Sequence, residues 1–304
     1  MTQPWHAEQV VSRTLAAALL EEQFPELAPV TAEPFGAGFD NTAFLVNAQY
    51  LFRFPRRQFA VPLLDTETRL LPWLAPQLPI AVPVPRFVGR PTGAFPWPFV
   101  GYSLLSGRTA CAVHLDAKQR TALAGPLGRF LQALHALPAA EATIHGAGPD
   151  TIARLDLARR MPPARAELDQ FSRQGLIAQA QPLWAILDGA PPAYTPRADV
   201  LVHGDCYARH LLIGPGDTLV GVIDWGDVHL GDPAADLMVA HAFLPPEARM
   251  AFREAYGALD GVTWQMARLR ALWHTLKVLA YAQAINDADL LGEGRLALEY
   301  LRVE

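Results

Sequence analysis

The 304-residue chain is short of the residues that mark several protein classes. It has two cysteines, Cys111 and Cys206, which in a chain this long make no disulfide framework and suggest a reducing, cytoplasmic compartment. No window holds the ~18 uncharged apolar residues of a membrane span. The first residues lack a basic stretch followed by an apolar run, so no secretory leader is expected. Only 18% of residues are charged and the net charge is -5, the opposite of a nucleic-acid-binding footprint. The expected partner is a small molecule, not nucleic acid or membrane, and no feature sets an oligomeric state. Lysine is scarcest of the basic residues: Lys118 and Lys277 are the only two. Any cation required in the first third of the chain must be arginine. What is abundant is apolar: 51% of residues are hydrophobic, enough for a substantial core.

The apolar pattern divides the chain in two. Val10, Val11, Leu15, Leu19 and Leu20 predict a helix over residues 7–23. Residues 35–54 read as strands and turns, with Asn47-Ala48-Gln49 as a hairpin connection. A helix is expected over 65–78 and short strands over 86–89 and 99–104. After Ser106-Gly107 the character becomes helical. Asp116 is a candidate N-cap for a helix to about His135, and further helices are expected over 151–161, 163–174 and 177–187. Three short strands (200–202, 211–213, 219–223) interrupt this run, and helix resumes from Pro233, with breaks near Pro245-Pro246 and Gly261. The order predicts an α+β protein: a small N-terminal lobe around an antiparallel sheet, then a larger, mostly helical lobe carrying its chemistry on a hairpin.

That hairpin holds the densest cluster of reactive side chains. One strand delivers His203-Gly204-Asp205, and His210 follows. The next strand delivers Asp224-Trp225-Gly226-Asp227, and Gly231-Asp232-Pro233-Ala234-Ala235-Asp236 closes the cluster. Nineteen residues separate Asp205 from Asp224, yet a hairpin returns both to one end of a small sheet. Two carboxylates and an imidazole converging there would make a divalent-cation site beside a spare carboxylate.

In these motifs the chain resembles the aminoglycoside phosphotransferase family, small-molecule kinases with the two-lobed protein-kinase-like fold. The resemblance implies an N-lobe over residues 1–105 that binds nucleotide, and a C-lobe over 106–304 with the catalytic loop, metal site and acceptor site. It implies that Asp205 positions and helps deprotonate the acceptor hydroxyl, and that Asp224 chelates Mg2+ on the phosphates of ATP or GTP. His210 stands where most of the family has asparagine. The same replacement occurs in macrolide and 2-double-prime aminoglycoside phosphotransferases, several of which favour GTP, and a neutral imidazole can serve the second metal position. Imidazole is softer than the amide oxygen that magnesium prefers.

The resemblance extends to the first lobe. Gly36-Ala37-Gly38-Phe39-Asp40-Asn41 lies between two strands, where a flexible loop could fold over phosphates; a plain turn is the alternative, so Gly36, Gly38 and Asn41 are candidates on context. Arg53, in Phe52-Arg53-Phe54-Pro55, takes the place of the lysine that grips the α- and β-phosphates, and strand alternation turns it away from Phe52 and Phe54. Glu67 on the following helix is its implied partner. Arg56 and Arg57 read as solvated. Ser103 and Leu104 end the strand that leads to the hinge beneath the base.

Asp236 is expected to bond the catalytic-loop backbone, His203 to pack within that loop, and Asp227 to face either substrate or solvent. On the last helices Trp273, Lys277 and Tyr281 share a face, as do His274 and Tyr281, and such a stripe is usually core. Two other functions remain open: a metal-dependent hydrolase on His203, Asp205, His210, Asp224, Asp227 and His229, or a catalytically silent nucleotide-binding relative. For the acceptor, Asp227, Asp232, Glu254, Asp260, Asp287, Asp289 and Glu293 could form an acidic groove for a polycationic aminoglycoside. A macrolide or ordinary metabolite would want a more neutral pocket, and antibiotic resistance is implied only through relatives.

Overall fold

In the computed structural model, which describes residues 7–303, the chain forms two compact units. One comprises the chain up to Gln77 with Ala81–Leu105; the other comprises Leu78–Ile80 with the chain from Ser106.

The first unit is a five-stranded antiparallel sheet flanked by helices. Its elements are α1 (Arg13–Gln23), β1 (Ala32–Ala37), β2 (Asn41–Val46), β3 (Tyr50–Pro55), α2 (Ala60–Leu74), β4 (Pro85–Gly89) and β5 (Phe99–Ser103), in sheet order β1-β2-β3-β5-β4. Strand alternation does the sorting. Phe52 and Phe54 are fully buried with Phe44, Phe87, Phe95 and Phe99, while Arg53 points to the other face. Close approach explains two glycines, since a Cβ at Gly89 or Gly101 would fall within 2.5 Å of the Phe99 or Phe52 ring. Both helices begin away from the expected residue. Helix α1 begins at Arg13 because Ser12 caps it, its side chain accepting from Leu15 N–H. Helix α2 begins at Ala60, five residues early, because Pro62 falls in the first turn, where its missing N–H has no helical partner to lose.

The second unit is mostly helical: α3 (Ala110–Val113), α4 (Ala117–His135), α5 (Ala139–Ile144), α6 (Leu157–Arg173), α7 (Gln181–Asp188), α8 (Ala234–Ala242), α9 (Arg249–Tyr256), α10 (Gly261–Ile285) and α11 (Ala288–Leu301). Asp116 closes a capping box with Gln119 at the start of α4. One helix, α6, replaces the two expected on either side of Pro162-Pro163. Asp156 caps it, and burial of Ala164, Leu168 and Phe171 carries it through the prolines. Two small sheets lie among these helices. Strand β6 (Arg108–Thr109) pairs with β8 (Leu211–Ile213), which pairs with β9 (Leu219–Val222); β7 (Val200–Val202) pairs with β10 (His229–Gly231). Among the described residues no helix is long and apolar enough to cross a membrane.

Candidate active site

The strand-to-loop step after β7 is set by Asp236 at the start of α8. This carboxylate is fully buried and accepts from the backbone N–H groups of His203 and Gly204, both at 2.7 Å, and from His135 Nε2 at 3.0 Å. Burial alone would raise its pKa. The His135 hydrogen bond and charge and the Gly204 N–H outweigh burial and hold it below the ordinary carboxylate value. Gly204 is required there: its φ is +83°, and a Cβ would meet the Asp227 carbonyl oxygen at 2.4 Å.

His203 is sealed inside the loop. Its Nε2 donates to Ile223 O at 3.0 Å, its Nδ1 accepts from Asp205 N–H at 3.2 Å, and its ring packs 4.6 Å from that of Trp225. Burial lowers its pKa, so the neutral ring that this bonding pattern needs is the favoured form.

Asp205 then emerges with two histidines on it. His274 Nε2, from α10, donates to Asp205 Oδ1 at 2.9 Å, and His210 Nδ1 donates to the Asp205 backbone carbonyl at 2.8 Å. Burial would raise the Asp205 pKa, but His274, then His210 and Arg270, hold it well below the usual range. With Nδ1 directed at the Asp205 carbonyl, the His210 ring turns its Nε2 toward Asp224 Oδ2, 3.4 Å away. An imidazole nitrogen and a carboxylate oxygen placed this way are both possible ligands of a divalent cation. Asp224 is 47% exposed and held at φ +64°, a left-handed conformation that aspartate tolerates better than most residues.

Behind Asp224, Asp227 accepts from Arg154 Nη2, and Arg154 Nη1 donates to Asp150 Oδ1 at 2.6 Å. His229 Nδ1 donates to the Asp227 carbonyl at 2.7 Å. Among the described residues no three His, Cys, Asp or Glu side chains group as a metal site.

In the first unit, Arg53 Nη1 donates to both oxygens of Glu67 at 2.8 Å, and Tyr102 O–H donates to Glu67 Oε2 at 2.9 Å. Glu67 is 1% exposed. The β1–β2 turn is closed by Gly38 N–H donating to Asn41 O at 2.9 Å, and the space above Gly36 is open. Arg56 and Arg57 are not free surface arginines. Arg56 Nη1 donates to Gly38 O at 2.7 Å, and Arg57 pairs with Asp40 and lies over the Phe39 ring. Sequence periodicity cannot show this, because both partners sit across a turn. Ser103 ends β5 opposite Tyr50, and Leu104 N–H is taken by Gln49 O at 2.8 Å, leaving Leu104 its carbonyl for other contacts.

Most of the acidic residues suggested for an acceptor groove have partners within the protein. Asp232 is buried and accepts from Tyr194 O–H and the Arg197 and Ala234 N–H groups. Asp260 and Asp287 cap α10 and α11. Glu293 pairs through both oxygens with the buried Arg120, and Asp289 lies 3.4 Å from His114. Trp273 is core, as expected for the stripe, and Lys277 pairs with Glu167. Of the two neighbours of Asp205 on α10, His274 is expected from sequence only as part of a core stripe, and Arg270 is not singled out. The available signal was two ionisable residues one turn apart on a helix that otherwise buries Met266, Leu269, Leu272 and Leu276.

Comparison with known proteins bears on family and fold. The phosphotransferase enzyme family matches residues 31–272. An uncharacterised protein of Bacillus subtilis (strain 168), YcbJ, is 25% identical over 228 residues, covering 71% of this chain and 70% of its own. The GDP complex of wild-type aminoglycoside 2'-phosphotransferase-IIIa superposes with a TM-score of 0.70 at 25% identity, covering 96% of this chain and 99% of that one. The apoenzyme of a macrolide 2'-phosphotransferase from Brachybacterium faecium, MphH, gives 0.55 at 26% identity, covering 88% and 91%.

Proposed function

The chain belongs to the phosphotransferase enzyme family, and on that premise we propose that it transfers the terminal phosphate of ATP or GTP to a hydroxyl of a small molecule. The observation that carries the reading is Asp205, ionised and oriented by His274 on one carboxylate oxygen, at the end of a loop that Asp236 fixes through the backbone. The acceptor hydroxyl donates to Asp205 Oδ2 as its oxygen forms the new bond to the terminal phosphorus. The bond from phosphorus to the bridging oxygen breaks, the nucleoside diphosphate leaves, and the proton goes to Asp205. Little covalent chemistry falls to the protein; position and charge supply the catalysis.

Arg53, held by Glu67 and Tyr102, is assigned to the α- and β-phosphates, and the turn bearing Gly36, Gly38 and Asn41 to covering them. Ser103 and Leu104 are assigned to the base through their backbone. Asp224 fits magnesium, which takes one or two carboxylates from a protein and completes its shell with phosphates and water, and His210 beside it would be a softer second donor. When bound, the ion would neutralise charge on the phosphates. His203, Asp227 and Asp236 act by fixing the loop that carries Asp205.

Thermal unfolding with ATP and with GTP, each with and without magnesium, tests the nucleotide site. At a hundredfold excess over Kd a bound nucleotide stabilises by about 2.7 kcal/mol, and Asp224→Ala should remove the magnesium-dependent part. Asp205→Ala should lower transfer by ~100- to 10,000-fold with nucleotide affinity little changed. Equal loss of both would overturn this assignment of Asp205.

A further inference from the structure

Helix α10 places Arg270 one turn before His274, on the same face, and His274 touches Asp205. Arg270 is only 8% exposed, yet among the described residues it makes no hydrogen bond and no ion pair. Its Nε is sealed from solvent without a partner, whereas its two terminal nitrogens keep contact with solvent.

The other buried arginines of this unit show how unusual that is. Arg120 holds Glu293 with both terminal nitrogens and also donates to Leu115 O and Phe243 O. Arg154 holds Asp150 and Asp227, and Arg249 donates to Val303 O and Tyr300 O. Arg270 has no such contact. The carboxylates whose charge reaches it are Asp205, which accepts from His274, and Asp227, which accepts from Arg154. Arg154 and Arg160 repel it. Burial, against the pull of Asp205, brings its pKa down to about 10.

A buried cation without a contact partner is costly, and such groups in native proteins call for an explanation. The planar guanidinium fork matches the paired oxygens of a carboxylate or phosphate. Resting on the phosphotransferase reading, we propose that Arg270 binds an anionic group of the acceptor, so that the molecule phosphorylated here is a hydroxyl-bearing carboxylate or phosphate ester. A polycationic acceptor would bring its charge against Arg270, Arg154 and Arg160, and most of the carboxylates that could have received it are engaged as caps or in pairs.

The test is calorimetric titration of the full chain, with ADP and magnesium and without them. D-glycerate and sn-glycerol 3-phosphate are the probes, and glycerol and kanamycin the neutral and cationic controls. At least one anion should bind while the controls do not, and which anion binds separates carboxylate from phosphate recognition. Arg270→Gln should weaken that binding about 10- to 100-fold, and Arg270→Lys, which keeps the charge but loses the fork, by less. Cooperative melting of both variants shows that they fold. Silence of both anions at tens of millimolar, tighter binding of glycerol or kanamycin, or unchanged affinity in Arg270→Gln would overturn the proposal. Failure of ADP to bind would instead count against the nucleotide site, and the titrations without ADP would still report on Arg270.

Discussion

Arg53 in the sheet unit and Arg270 in the helical unit are both largely buried cations, and their surroundings are opposite. Arg53 is tied to a carboxylate that is itself buried and bonded by a tyrosine, so its position is settled within the protein. Arg270 is carried on a rigid helix with no protein group to hold its fork. In the proposed reading the first meets the phosphates of a nucleotide, the same in every turnover, and the second meets the acceptor. A cation whose ligand never changes can be organised in advance. One whose counterion arrives with the substrate must be left unsatisfied by the fold.

The sharpest way to break this contrast is at Arg53. Arg53→Met takes the guanidinium from a Glu67 carboxylate that stays buried and charged, and removing one partner of a buried pair costs about 3–5 kcal/mol. Urea unfolding should show that loss. A change below about 1 kcal/mol would mean the pair does not organise the sheet unit.

The helical unit has a settled anchor of its own, but it faces the backbone. Asp236→Asn keeps an oxygen acceptor and loses the charge that His203 N–H, Gly204 N–H and His135 share, which should cost about 2–3 kcal/mol at neutral pH. The folded pKa of Asp236 lies below the 3.8 of a free aspartate, so its contribution is present above 3.8 and is lost as pH falls through the folded value. Unfolding curves of wild type and variant should therefore keep their separation from pH 7 to about 4 and converge below. A separation that vanished already at pH 6 would assign the effect to another group.

How far these features were legible in the sequence follows from the range of the contacts. Period-two alternation is local, so the outward face of Arg53 and the aromatic core of β1–β5 could be read directly. The order of motifs across the hairpin placed Asp205, His210 and Asp224 near one another, and the resemblance placed Asp236. Contacts between distant segments had no such signal: His274 reaches Asp205 across 69 residues. The partners of the acidic residues are hidden from the sequence for the same reason. A cap such as Asp287 or a partner such as Glu293 looks like surface charge until its N–H groups or arginine are located. Pro162 and Pro163 misled because local propensity yields when a long apolar face is buried.

A finer test of the sheet unit is Tyr102→Phe, which removes only the hydroxyl bonded to Glu67 Oε2. The loss should be about 1.5 kcal/mol, as for a hydrogen bond to a charged acceptor. Double-mutant analysis with Arg53→Met should show coupling, because both groups bind the same carboxylate. Simple additivity would mean that the triad does not act as a unit.

The smallest effect is the most discriminating, because its sign is reversed. Arg270→Met keeps much of the side-chain volume and removes a buried charge that has no contact partner. Some attraction to Asp205 and Asp227 is lost, and repulsion from Arg154 and Arg160 is relieved. What remains is the desolvation cost of the cation, so the variant should be more stable than wild type by about 1 kcal/mol in urea unfolding. The same substitution at Arg53 is destabilising, so the two variants measured side by side isolate the role of the protein counterion. If Arg270→Met lost more than about 1 kcal/mol, Arg270 would be a structural counter-charge to Asp205, and the two arginines would differ only in how closely their carboxylates approach.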